Sequence, residues 1–350
     1  MARALELAWS GWGRVAPNPM VGAVVLRDGE AVGEGWHAEF GERHAEPIAL
    51  DMAGAGARGA TLVVTLEPCV HQGKQPPCVD RVLASGVARV VVALTDPNPV
   101  ARGGAARLRE QGVAVECGLL AAEAAAQNAA FLHAHRDGTR PFVALKLAAS
   151  LDGRIADRAG HSRWISGPEA RDWVQWLRAG YDAIAVGGAT ARSDDPSLTV
   201  RGTLQPRRTP LRVVFSRRAD LPASLVLART AAAVPTIVFA EQSEGEHAAG
   251  LRALGVEVVG EHGLSAGMTA LRARAVTSLL VEGGGQLAGA LLQAGLVDRL
   301  YWMTSPVWLG DDGVPAVAGH EGAPLADAPR WRIVERRALG EDTLLVADRT

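Results

Sequence analysis

His44-Ala45-Glu46, Pro68-Cys69 and Pro76-Pro77-Cys78 are the segments from which the rest of the chain is read. One imidazole nitrogen and two thiolates can hold a zinc ion and leave the fourth tetrahedral position for water. An open position belongs to catalysis. Two thiolates cancel the charge of Zn²⁺, and the coordinated water becomes a hydroxide nucleophile near neutral pH. Glu46 stands two residues beyond the first ligand, where it can move protons between that water and a leaving amine. A closed structural site would need a fourth ligand, and His37 and His71 are the nearby candidates. Pro47 follows Glu46 directly, a position a helix tolerates if it starts near His44, because first-turn N–H groups have no intrahelical partner.

The same segments place the site on an α/β framework. An apolar run, Thr61–Thr65, leads into Glu67-Pro68-Cys69, a helix is expected over Val79–Ser85 after Cys78, and a strand over Arg89–Leu94. Strand Val21–Leu26 follows a helix from Ala2 to about Trp12 and the turn Pro17-Asn18-Pro19. The ligands thus fall at strand ends and helix starts, where α/β sheets present their sites and where helix N-termini favour thiolates.

The 350 residues predict two domains, and 48% hydrophobic with 21% charged residues is an ordinary globular composition. Lys and Arg total 36 against 38 Asp and Glu, a net charge of −2 without a basic run, so nucleic acid is not an expected partner. No apolar stretch approaches the length of a membrane span, and the N-terminus lacks the pattern of a signal peptide. Three cysteines argue against a disulfide framework; Cys117, outside the metal set, is expected in the core, and the chain in the cytoplasm.

An alanine-rich helix over Leu119–His135 ends in Arg136-Asp137-Gly138-Thr139-Arg140-Pro141, read as the boundary between domains at 1–138 and 139–350. The second half is again α/β, with strands expected at Phe142–Leu147, Ala183–Val186, Leu211–Phe215, Thr236–Phe239, Val256–Val259, Ser278–Val281 and Leu300–Thr304. Its most informative stretch, Ser278 to Gly289, reads strand, glycine turn, helix, a turn whose N–H groups can cradle phosphate. Gly283, Gly285 and Ala288 match the dinucleotide fingerprint formally, but so late in the chain an ordinary Rossmann domain is not expected. Arg178 and Arg201 can each give bidentate contacts to an anion.

His44, Glu46 and the two cysteines resemble the zinc nucleobase deaminases, although their cysteines usually stand three apart and Cys69 and Cys78 stand nine apart. Over almost the whole chain the motifs resemble the bifunctional riboflavin-biosynthesis deaminase–reductase family. Pro17-Asn18-Pro19-Met20-Val21-Gly22, His44-Ala45-Glu46, Thr65-Leu66-Glu67-Pro68-Cys69, Pro76-Pro77-Cys78 and Asp96-Pro97-Asn98-Pro99 carry the first half. Ser150-Leu151-Asp152-Gly153, Trp164-Ile165-Ser166, Asp194-Asp195-Pro196 and Val281-Glu282-Gly283-Gly284-Gly285 carry the second.

The resemblance implies a cytidine-deaminase-like three-layer α/β/α domain followed by a dihydrofolate-reductase-like α/β domain. It implies one Zn²⁺ per chain on His44, Cys69 and Cys78, with Glu46 catalytic. The zinc half would hydrolyse the 2-amino group of 2,5-diamino-6-(5-phosphoribosylamino)pyrimidin-4-one to give 5-amino-6-(5-phosphoribosylamino)uracil. The second half would then use NADPH to reduce the ribosyl group to ribityl at C1′. By motif position Ala148, Trp164, Thr190, Asp194 and the turn Gly284, Gly285, Gln286, Leu287, Ala288, Gly289 and Ala290 would line the NADPH site. Ser162, Arg178, Leu198, Arg201 and Glu282 would hold the phosphosugar, with Lys146 and Asn18 as further candidates. A homo-oligomer is a further expectation. Gln75, Ala16, Pro47 and Ser216 depart from the family pattern. The alternative is a nucleoside or tRNA-type zinc deaminase carrying a non-catalytic C-terminal binding module.

Overall fold

The computed structural model describes residues 1–136 and 138–350; Asp137, within the expected boundary, lies outside the described residues. The chain divides into two compact units, Met1–Gly138 and Thr139–Thr350. The first unit runs α1 (Ala2–Ala8), β1 (Gly22–Arg27), β2 (Glu30–Trp36), α2 (Ala45–Ala53), β3 (Thr61–Leu66), α3 (Cys78–Ser85), β4 (Arg89–Leu94), α4 (Gly104–Glu110), β5 (Ala114–Cys117), α5 (Ala121–Gln127) and α6 (Ala129–Arg136). Its sheet has the order β2-β1-β3-β4-β5. The β2-β1-β3 part is antiparallel, and β3, β4 and β5 are parallel.

Successive residues of β1 face opposite sides of the sheet. Ala23 and Val25 join Ala45, Ala49 and Leu50 of α2, whereas Val24 packs with Ala4 and Leu7 of α1, so the sheet lies between helical layers. The close seating of α2 depends on Gly33 and Gly35 of β2. A Cβ at Gly33 would stand 2.2 Å from the Ala49 carbonyl oxygen, and one at Gly35 would stand 2.4 Å from that of Ala45. Glycine in a strand often marks such a backbone approach. That composition, Glu30-Ala31-Val32-Gly33-Glu34-Gly35-Trp36, hides the strand from a hydrophobic-pattern reading.

Two expectations for this unit need correction. The alanine-rich helix is two helices, broken at Asn128, whose amide accepts from Met20 N–H at 2.8 Å and donates to Met20 O at 3.0 Å. Cys117 is exposed, not in the core, because β5 is the edge strand and its last residues face solvent.

The second unit contains β6 (Phe142–Ser150), β7 (Arg154–Ala156), α7 (Pro168–Ala179), β8 (Ala183–Gly187), α8 (Gly188–Asp194), β9 (Leu211–Ser216), α9 (Val226–Arg229), β10 (Thr236–Ala240), α10 (Glu246–Ala253) and β11 (Glu257–Gly260). There follow α11 (Leu264–Ala273), β12 (Ser278–Glu282), α12 (Gly285–Gln293), β13 (Arg299–Ser305), β14 (Val314–Pro315), β15 (Trp331–Leu339) and β16 (Asp342–Arg349). The main sheet runs β11-β10-β9-β8-β12-β6-β13-β16-β15. The seven strands from β11 to β13 are parallel, and β16 and β15 add antiparallel at one edge. Ala183, Ala185, Val213, Ile237 and Phe239 face one core, and Ile184, Val186, Val214 and Val238 the other. Strands buried on both faces read as continuous apolar runs, the pattern that made them visible in the sequence. β7, β14 and the β15–β16 hairpin were not among the expected strands. In β15 charged residues break up the pattern Trp-Arg-Ile-Val-Glu-Arg-Arg-Ala-Leu, and most of its residues are exposed or half-buried.

Candidate active sites

In the first unit the ligand set assembles at the ends of three elements. His44 is the N-cap of α2, Cys69 lies three residues beyond β3, and Cys78 is the first residue of α3. Pro47 occupies the third position of α2, where its missing N–H costs no intrahelical bond. His44 Nδ1 lies 3.1 Å from Cys78 Sγ and 3.7 Å from Cys69 Sγ, and the three ligand atoms fall within 4.8 Å of one another. Tetrahedral zinc with ordinary Zn–N and Zn–S bonds separates such atoms by roughly 3.6–3.8 Å, so the residues present fit the ion. Neither His37 nor His71 joins the group, which leaves the fourth position without a protein ligand among the described residues.

The electrostatics suit a metal. Hydrogen bonds from Cys78 and His44 hold the Cys69 thiol down to about 4, and the Cys78 N–H points at the same sulfur from 3.5 Å. The Cys69 sulfur and burial push Cys78 up. The hydrogen bond to Cys69 raises His44. Burial pushes the Glu46 carboxyl up to about 7, with 3% of the residue exposed. A carboxyl titrating near neutrality can both take and give a proton.

A cavity of about 200 Å³ opens beside these groups, bordered by Asn18, His37, Phe40, Lys74, Asp96 and Phe131 as well as by His44, Glu46 and Cys69. Burial lowers the His37 ring, which hydrogen-bonds to Arg43 O and Asn18. Glu67 sits below the cavity and accepts from three backbone N–H groups: Asp96 at 3.0 Å, Gly103 at 3.2 Å and Ala105 at 2.8 Å. It ties the Cys69 loop to the loop after β4. Gln75, a departure from the family pattern, donates to Gly41 O at 2.9 Å across the rim.

In the second unit a cavity of about 820 Å³ runs along the carboxyl ends of the parallel strands, the usual position for a ligand on such a sheet. Helices α8 and α12 both begin there, with Gly187 and Gly284 as their N-caps. Their starts are packed against each other and against β9: a Cβ at Gly284 would stand 2.7 Å from Thr190 Oγ1, and one at Gly188 would stand 2.9 Å from Ser216 Oγ. Two helix starts that open on a glycine, Gly188 and Gly285, offer N–H groups and positive dipole ends to a pyrophosphate. The residues therefore fit a dinucleotide.

Of the residues assigned by motif position, Ala148, Ser162, Thr190, Asp194, Glu282, Gly284, Gly285, Gln286, Leu287, Ala290 and Lys146 line this cavity. The others do not. Ala288 and Leu198 are core residues, and Gly289 is pressed against the loop at Ala318, whose carbonyl oxygen stands 1.9 Å from where its Cβ would be. Trp164 is 69% exposed beneath the Arg171 guanidinium. Arg201 is exposed, with its backbone N–H on Gln175.

Arg178 is corrected as a bidentate anion clamp. Its Nε and Nη2 already grip Glu282 at 2.5 and 2.8 Å, and Nη1 donates to Thr199 O. Burial alone would raise the Glu282 carboxyl, but Arg178, Lys146 and Arg201 hold it below its ordinary value. Lys146 stands opposite Glu282 in the β6–β12 register, and burial lowers its ammonium. The motif reading missed the far lobe: Arg217, Glu241 and Glu261, each just past an apolar strand, with Phe215 and Phe239 stacked at 5.5 Å. Their position directly after parallel strands was the available signal.

Comparison with known proteins gives the same division. Residues 1–94 match the cytidine and deoxycytidylate deaminase zinc-binding region, and residues 141–345 match the RibD C-terminal domain. The match to that C-terminal domain removes the alternative of a non-catalytic binding module. The chain is 44% identical to the riboflavin biosynthesis protein RibD of Escherichia coli over 99% of its own length and 97% of that protein's. It is similar to a solved Thermotoga maritima diaminohydroxyphosphoribosylaminopyrimidine deaminase/5-amino-6-(5-phosphoribosylamino)uracil reductase, with TM-score 0.84, 36% identity and coverage of 100% and 97%. An Acinetobacter baumannii RibD structure gives TM-score 0.83 at 35% identity, covering 100% of this chain and 97% of that one. With zinc and NADPH as its cofactors, this chain belongs to the RibD family of bifunctional riboflavin-biosynthesis deaminase–reductases.

Proposed function

We propose that the first cavity carries out the deamination and the second the reduction, with residues 1–138 and 139–350 as the two catalytic domains. The observation that supports this reading most directly is the convergence of His44, Cys69 and Cys78 beside a buried Glu46 at a cavity wall. His44, Cys69 and Cys78 would hold the zinc ion, which when bound would supply an acidified water as nucleophile near neutral pH. Glu46 takes the proton released by the attacking water and gives it to the pyrimidine ring nitrogen, then takes the proton of the new hydroxyl on the attacked carbon and gives it to the departing amine. Asn18 and Lys74 at the wall bind the pyrimidine and its polar substituents.

In the second cavity Thr190, Asp194 and the turn at Gly284–Gln286 would hold NADPH, which when bound would supply the hydride for the sugar. Glu282, kept ionised by Arg178, accepts from sugar hydroxyls, and Lys146 Nζ donates to a sugar oxygen. Ser162 on the cavity wall would hold the phosphosugar, with Arg201, exposed outside that wall, as a further candidate. The near-neutral net charge supports a small-molecule substrate over nucleic acid, and no helix among the described residues is long and apolar enough to cross a membrane. We place the enzyme in the cytoplasm as a homo-oligomer.

The deciding experiment is Glu46→Gln. The variant keeps its zinc and loses ammonia release by about 10²- to 10⁴-fold, the range for removing a general acid–base. Turnover near that of the parent protein sinks the assignment. In the parent, NADPH is consumed only when the deaminated product is supplied or formed. An absorbance that stays constant with product present removes the reductase assignment.

A further inference from the structure

His37 is 2% exposed and is held at both ring nitrogens, with Nδ1 3.0 Å from Arg43 O and Nε2 3.1 Å from Asn18 Nδ2. A carbonyl oxygen only accepts, so Nδ1 carries the proton. A neutral imidazole protonated at Nδ1 presents a lone pair at Nε2. The Asn18 atom facing that lone pair must therefore be a donor. This chain of donors and acceptors assigns the amide nitrogen to the His37 side and leaves Oδ1 for another partner.

Asn18 has little other freedom. Pro17 and Pro19 restrict the backbone on either side, Asn18 N–H donates to Val15 O at 2.9 Å, and Asn128 binds Met20 at both N and O. With the terminal amide seated 3.1 Å from His37 Nε2, the choice left at that contact is its two-fold flip. Both Asn18 and His37 line the cavity that contains Glu46 and the zinc ligands.

We infer that His37 is a positioning residue for the deamination: its Nε2 fixes the Asn18 amide so that Oδ1 accepts from an N–H edge of the substrate ring. A pyrimidinone bearing a ring N–H and exocyclic amines has such an edge. The flipped amide would set its NH₂ group against those donors, losing one hydrogen bond and opposing like dipoles. The inference rests on Asn18 as a substrate contact, and the test separates the two claims.

The experiment uses full-length, zinc-loaded protein and measures ammonia release from the diaminopyrimidine substrate. His37→Phe keeps a buried ring but removes the acceptor. It is expected to raise KM about ten-fold, with a smaller change in kcat and unchanged zinc content. His37→Gln can accept from Asn18 and donate to Arg43 O, and is expected to restore most of the loss. Asn18→Ala is expected to raise KM by itself, and His37→Phe added to it is expected to do nothing further. A full ten-fold effect of His37→Phe in the Asn18→Ala background overturns the relay while leaving Asn18 as a contact. An Asn18→Ala protein with the parent KM overturns the contact and the relay together. Loss of zinc, or failure of His37→Gln to rescue, also overturns the relay, because either places the role of His37 elsewhere.

Discussion

At the scale of single residues, the two sites depend on buried carboxylates used in opposite ways. Glu46 is buried deeply enough to outweigh the His44 charge beside it and is pushed up to about 7, which suits proton transfer. Glu282 is gripped by Arg178 and held down, which suits a fixed acceptor. Because its folded-state carboxyl ionises below the usual value, Glu282 contributes stability that is present above about pH 4.5 and is lost as pH falls through its folded value. Glu282→Gln removes that acid-sensitive component and strands the Arg178 charge, at a cost of about 3–5 kcal/mol. Unfolding of parent and variant between pH 3 and 7 measures both effects; identical pH dependence speaks against the pairing. Glu67 is a third case, a carboxylate spent wholly on three backbone donors. Glu67→Ala leaves those donors unpaired beside the Cys69 loop, and is expected to cost about 3 kcal/mol or more, read as a lower thermal midpoint together with weakened zinc retention.

At the scale of elements, glycines place the catalytic groups by letting backbones touch. Gly33 and Gly35 admit α2 onto β2, and α2 begins at the residue after His44 and carries Glu46 in its first turn. Gly35→Ala puts a Cβ within 2.4 Å of the Ala45 carbonyl oxygen, so the helix start must move. A displacement on the order of 1 Å at a reacting group can cost about 10²-fold in rate. Ammonia release by Gly35→Ala is expected to fall by that order, with NADPH oxidation on supplied product unchanged. Gly289→Ala is the counterpart in the second unit, where the Cβ would stand 1.9 Å from the Ala318 carbonyl oxygen. It is expected to raise KM for NADPH without altering ammonia release. An equal loss of both activities in either variant contradicts this local account.

At the scale of the whole molecule, two units support two chemistries. The zinc ligands all come from the first unit, and the residues around the larger cavity all come from the second. Removal of zinc by a chelator is therefore expected to abolish ammonia release while leaving NADPH oxidation intact when the deaminated product is supplied. A reductase that stops with chelation refutes that independence.

Much of this was legible in the sequence where the physics is local. Metal-ligand types at strand ends, parallel strands written as unbroken apolar runs, and glycines opening a helix each state their purpose within a few residues. β2 was not legible, because its glycines serve a helix ten residues further on. The helix break at Asn128 was not legible either, because its amide answers a backbone 108 positions away. Nor could the sequence tell that Arg178 is committed to Glu282, 104 residues on, instead of to a ligand. By itself the sequence determined the zinc set, the order of the two α/β units and the glycine turn. Only the tertiary structure decided which arginine is paired, which turn residues face the cavity and how Asn18 is turned by His37. Those outcomes depend on burial and on partners distant in the chain, which no local pattern encodes.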